Sequence, residues 1–108
     1  MINLYYNPKC SKCRIAKDIL TDLKVDYKIR EYIKNPLTNA ELLIIINKLN
    51  KPMEAIRGSS YKEHSLSVIA ISQLLASDPI LFQRPIIEND TKAVVARSPE
   101  LIYQFLDL

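Results

Sequence analysis

The chain has 108 residues, 48% of them hydrophobic and 25% charged, with a net charge of +3, a size and balance that suit one domain spanning residues 1–108. No apolar run approaches the roughly 20 residues of a membrane span and the N-terminus lacks the basic and apolar segments of a secretion signal, so a cytoplasmic protein with no membrane partner is expected. Acidic and basic residues are interleaved, too mild and dispersed a charge for a nucleic-acid stripe, and a single glycine, Gly58, excludes a Gly-rich phosphate loop and a dinucleotide fingerprint.

Ile2-Asn3-Leu4-Tyr5-Tyr6 is short and rich in strand-favouring residues, and after it Ile15, Ala16, Ile19, Leu20 and Leu23 recur at helical spacing. Val25-Asp26-Tyr27-Lys28-Ile29-Arg30-Glu31-Tyr32 alternates like a half-buried strand, which completes a βαβ unit with parallel pairing. Asn35-Pro36 breaks the chain. Thr38-Asn39-Ala40-Glu41 is a capping box opening a helix to about Leu49, with Leu42, Leu43, Ile45, Ile46 and Leu49 as its buried stripe. A further turn is expected over Met53 to Ile56, then a polar loop over residues 59–65 that holds the lone His64, then a helix over about Ser67 to Ala76. Asp78-Pro79 stops it. Arg84 to Glu88 and Lys92 to Ala96 form a β-hairpin about Asn89-Asp90, and Ser98-Pro99-Glu100 caps a last helix with Leu101, Ile102, Phe105 and Leu106 on its apolar face. This order, βαβ, helices, then ββα, predicts an α/β thioredoxin-like fold with a mixed four-stranded sheet and a helical insertion at about 38–77. In such a fold the proline opening the third strand is commonly cis beside the active-site cysteine, which selects Pro85.

The only two cysteines lie three apart in Asn7-Pro8-Lys9-Cys10-Ser11-Lys12-Cys13-Arg14, where the first strand hands over to the first helix. The unpaired N–H groups of a helix's first turn favour an anion, and with Lys9, Lys12 and Arg14 nearby they would lower the pKa of Cys10. Cys10 is therefore the candidate nucleophile. Two Cys and one His are too few for a closed structural zinc site, so no metal is expected. Cys13 either sits one helical turn below Cys10 as a resolving thiol or packs toward the sheet.

Three arginines stand at element ends: Arg57, Arg84 immediately before Pro85, and Arg97 after the last strand. Their planar forks suit tetrahedral oxyanions, although any one taken alone is more readily a salt bridge or surface charge. With Tyr5 to Arg14, Ile56-Arg57, Pro79 to Ile87 and Arg97-Ser98-Pro99-Glu100 as anchors, nearly the whole chain resembles the arsenate reductase (ArsC) family of the glutaredoxin-coupled type, which also contains the Spx regulators. The resemblance implies that Cys10 attacks arsenate or a similar oxyanion held by Arg57, Arg84 and Arg97. It also implies glutathione as co-substrate, glutaredoxin as protein partner, no tightly bound cofactor, and Asn7, Ser11, Lys12, Arg14 and Pro85 in supporting places. A monomer is expected.

Two positions depart from the reductase pattern. Tyr6 stands where those enzymes often carry histidine, and Cys13 where they typically carry serine and Spx carries cysteine. The alternatives are a redox-sensing regulator that binds RNA polymerase through a Cys10/Cys13 switch, and a general disulfide oxidoreductase that needs no arginine cluster. The arginines favour the reductase and Cys13 favours the switch.

Overall fold

Strand β1 (Ile2–Tyr6) is the axis of the sheet in the computed structural model, which describes all 108 residues. It pairs in parallel with β2 (Tyr27–Glu31) and antiparallel with β3 (Ile86–Glu88), and β4 (Ala93–Val95) completes the order β2-β1-β3-β4. Helices α1 (Ser11–Asp22), α2 (Asn39–Lys48), α3 (Val68–Ser77) and α4 (Pro99–Phe105) join them, with short 3-10 turns at Pro52–Ala55 and Pro79–Leu81. This is the mixed, thioredoxin-like sheet expected, with α2 and α3 inserted between its halves.

Alternation along β1 divides the core into two. Leu4 and Tyr6 join Ile87, Ala96, Ile102, Phe105 and the inner face of α1 in one cluster. Tyr5 joins Ile86, Phe82, Tyr32 and the insertion's Leu42, Ile45, Ile46, Ile71 and Leu75 in the other. The capping box at Thr38 and Glu41 is formed, with 3.1 Å and 3.0 Å bonds in its two directions, and Ser67 caps α3 through the Ala70 N–H. The hairpin turn is built by Asn89, whose side-chain oxygen accepts from Thr91 and Lys92 N–H. No helix is long and apolar enough to cross a membrane.

Three local expectations are corrected. The second strand is shorter than Val25 to Tyr32 and lies at the sheet edge, so Ile29 is exposed despite its alternation. On α1 the inward residues are Cys13, Ala16 and Leu20, while Ile15 lies on the far side of the helix and Leu23 at its open end, both exposed. Ser98 is the N-cap of α4 but makes no side-chain cap bond.

Candidate active site

The segment between β1 and α1 is closed by its own residues. The Asn7 side chain accepts the Lys9 N–H at 3.0 Å and its carbonyl accepts the Cys10 N–H at 3.0 Å. From the first turn of α1, Arg14 reaches back to donate to the Pro8 carbonyl at 2.8 Å. One of its terminal nitrogens is thus engaged by the loop. Cys10 is the N-cap, in extended conformation, and its carbonyl accepts the Arg14 N–H at 3.2 Å. Where Ser or Asp would bond the next N–H groups, the cap here carries a sulfur with no side-chain cap bond. The first-turn donors are left for a thiolate or an anion beside it.

Burial alone pushes the Cys10 thiol up. The Cys13 N–H, the neighbouring Cys13 thiol, the Arg84 guanidinium and the Lys12 N–H outweigh it and hold the thiol below its ordinary value. Cys13 goes the other way. Burial pushes its thiol up to about 12, against the pull of the Asn7 N–H and with Cys10 adding to the rise. Cys13 is fully buried among Leu4, Ala16, Leu20 and Ile87, so it packs toward the sheet and still adjoins Cys10. Both cysteines are free thiols. One is poised to ionise and the other is held protonated.

The arginines arrive by three routes. The β3–β4 register extends beyond the strands: the Arg84–Pro85 peptide is cis, the Pro85 carbonyl accepts the Ala96 N–H at 2.9 Å, and Arg97 donates to the Arg84 carbonyl. That places Arg84 beside Cys10 and Arg97 beside Arg84. Arg57 comes from the insertion, where Ile56 bridges Phe82, the Arg57 N–H donates to Leu81 at 2.6 Å and the Gln83 N–H donates to Ala55 at 2.8 Å. Gly58 follows with φ +84°, a turn that a side chain would strain although nothing lies within 4 Å of a Cβ there. Arg57, Gly58, Ile80, Leu81, Gln83 and Arg97 line one open depression.

None of the three has an acidic partner. The two ion pairs of the molecule are Arg30–Glu41 and Lys48–Glu88, and the Arg84 Nε is buried with no hydrogen-bond partner. The salt-bridge alternative for these arginines is therefore removed. Unneutralised guanidiniums, of which Arg84 acts on an activated thiol, favour an acceptor-rich anion.

The remaining candidates divide. Lys12 contributes its backbone N–H to Cys10, and its side chain lines a small cleft with Arg97, Ser98 and Pro99. Ser11 is exposed at the helix start. Tyr6 is buried with the Lys17 ammonium 5.9 Å from its ring centre. His64 is exposed beside Tyr61. No group of three or more His, Cys, Asp or Glu is placed to hold a metal.

Sequence reading missed Tyr32 and Gln83. Tyr32, buried and edge-on to Phe82 at 5.0 Å, has its hydroxyl pushed up by burial, opposed by Arg84 and Asn7 and reinforced by Cys13 and Cys10. Its position just past the carboxyl end of β2, parallel to β1, was the available signal, since sites in such sheets gather outside the strand ends. Gln83 gave no signal beyond adjoining Arg84.

A family model described as the ArsC family matches residues 5–105. The chain belongs to the ArsC family. Within it, the chain is similar to the uncharacterized protein YfgD of Escherichia coli, 32% identical over 97% of this chain and 96% of that one. It is equally similar to an arsenate reductase of Neisseria meningitidis, 32% identical over 94% of each. A global transcriptional regulator Spx of Streptococcus pyogenes is 28% identical over 98% of this chain and 85% of that protein. The solved arsenate reductase of Vibrio cholerae superposes with a TM-score of 0.81 over 95% of each chain, at 28% identity.

Proposed function

We propose that this ArsC-family protein is a thiol-dependent reductase that converts arsenate to arsenite through an adduct on Cys10. The observation that carries the reading is a chain of three arginines without carboxylate partners: Arg84 acts on a cysteine of lowered pKa at a helix start, Arg97 adjoins Arg84, and Arg57 shares a depression with Arg97. Arg57, Arg84, Arg97 and the first-turn N–H groups of α1 bind the oxyanion. The Cys10 thiolate attacks As(V), forming an S–As bond as water leaves. Glutathione adds to the arsenic, and a glutaredoxin thiol then takes the glutathione sulfur as a mixed disulfide. Two thiols lose the two electrons that arsenic gains, and hydrolysis releases arsenite and Cys10.

Cys13 could supply the second thiol internally, leaving a Cys10–Cys13 disulfide and arsenite. Its pKa of about 12 makes it a poor attacking thiol at neutral pH, which favours the external reductant. The adjacency of the two cysteines and the similarity to Spx support a second reading, a redox switch acting on the transcription machinery.

The test is arsenate-dependent NADPH oxidation with glutathione reductase, glutathione and glutaredoxin. Turnover abolished in Cys10→Ser and retained in Cys13→Ser is expected. Wild-type protein that turns nothing over, while a reversible Cys10–Cys13 disulfide is seen by mass spectrometry, would transfer the reading to the switch.

A further inference from the structure

Gln83 is anchored from the insertion side, because its backbone N–H donates to the Ala55 carbonyl at 2.8 Å. Its side-chain oxygen lies 3.2 Å from the Arg84 N–H nitrogen and 3.4 Å from a terminal nitrogen of Arg97. Both neighbours are donors with nothing to accept, so the oxygen of the amide and not its nitrogen must face them. The amide NH2 is left with no acceptor on the protein, on a residue that lines the same depression as Arg57 and Arg97. Donors exceed acceptors throughout this region, since the three guanidiniums have no carboxylate and the Arg84 Nε is unpartnered.

We propose that Gln83 is an anion-binding residue of the oxyanion site that also positions Arg97. Its oxygen holds Arg97, and its free NH2 is offered to a tetrahedral oxyanion. The inference rests on the oxyanion reading above and adds the reason for an amide at this position. A glutamate of the same length would hold Arg97 at least as well, yet it would neutralise a guanidinium and repel the anion. An alanine would release Arg97 without adding repulsion. A purely structural role therefore makes alanine the worse substitution, and an anion-binding role makes glutamate the worse.

The experiment follows alkylation of Cys10 by iodoacetamide against increasing arsenate, in wild type, Gln83→Glu and Gln83→Ala, with thermal melting to confirm folding. Loss of a donor to a charged group together with added repulsion should raise the half-protecting arsenate concentration in Gln83→Glu by about tenfold or more, and Gln83→Ala should be affected less. In turnover the Glu variant should lose through KM more than through kcat. Protection in Gln83→Glu within about twofold of wild type, or a greater loss in Gln83→Ala, would overturn the assignment while leaving the oxyanion site standing. Failure of arsenate to protect the wild type would instead remove the oxyanion reading, and this assignment with it.

Discussion

Two charged regions of this molecule are built on opposite terms. Behind the sheet, Glu88 is almost fully buried and completely paired: it accepts from Tyr5 at 2.5 Å, Lys48 at 2.9 Å and Asn3 at 3.3 Å, and Lys48 also donates to the Asn89 carbonyl. At the open end of β1, Arg57, Arg84 and Arg97 have no counter-charge at all. A buried carboxylate survives only when its acceptors are satisfied, so the first region ties α2 to β3 and to nothing outside. Cations collected without partners repel one another and gain only when an anion arrives. Pairing marks architecture here, and its absence marks the candidate site.

Substitutions in the two regions should have opposite effects. Glu88→Ala leaves the part-buried Lys48 ammonium with only the Asn89 carbonyl and takes the acceptor from Tyr5, so chemical denaturation should show a loss of about 1 to 3 kcal/mol, while the alkylation pH profile of Cys10 stays where it is. Arg57→Ala should do the reverse. Its guanidinium is exposed and unpaired, so stability should change by less than about 0.5 kcal/mol. Loss of a charged contact to the anion should cost about 1.5 to 3 kcal/mol, read as a fall of about ten- to a hundredfold in kcat/KM for arsenate.

The two cysteines sharpen the contrast within one turn of helix. Cys13 has its pKa raised in the folded state to about 12, from about 8.5 when unfolded. The stability it lends is full below about 8.5 and is lost as pH rises toward 12, at about 1.4 kcal/mol per unit. Denaturation of Cys13→Ala should accordingly show a flatter fall in stability above pH 8.5 than wild type.

Much of the fold was legible because its signals are local. The Thr38/Glu41 box and the Asn89 turn each act within three residues, and both are present. The parallel pairing of β1 with β2 and the β3–β4 hairpin followed from the sequence of elements. Burial was less legible where it depends on neighbours: Ile29 alternates correctly but lies on an edge, and Ile15 is apolar but faces out. At the site, Cys10 was marked by its place between strand and helix, and Arg84 and Arg97 by flanking the hairpin. Whether those arginines had acidic partners could not be read, because pairing is set by distant segments. Glu88 meets Lys48 across 40 positions and Tyr5 across 83. Gln83 was hidden for the same reason, whereas Tyr32 was marked by its place past the end of β2.

The most direct measurement is the rate of Cys10 alkylation against pH, compared between wild type and Arg84→Ala. A wild-type midpoint below the roughly 8.5 of a free cysteine is expected, moving upward when the guanidinium is removed. A wild-type midpoint at or above 8.5, unchanged in Arg84→Ala, would mean that this end of the sheet does not activate Cys10.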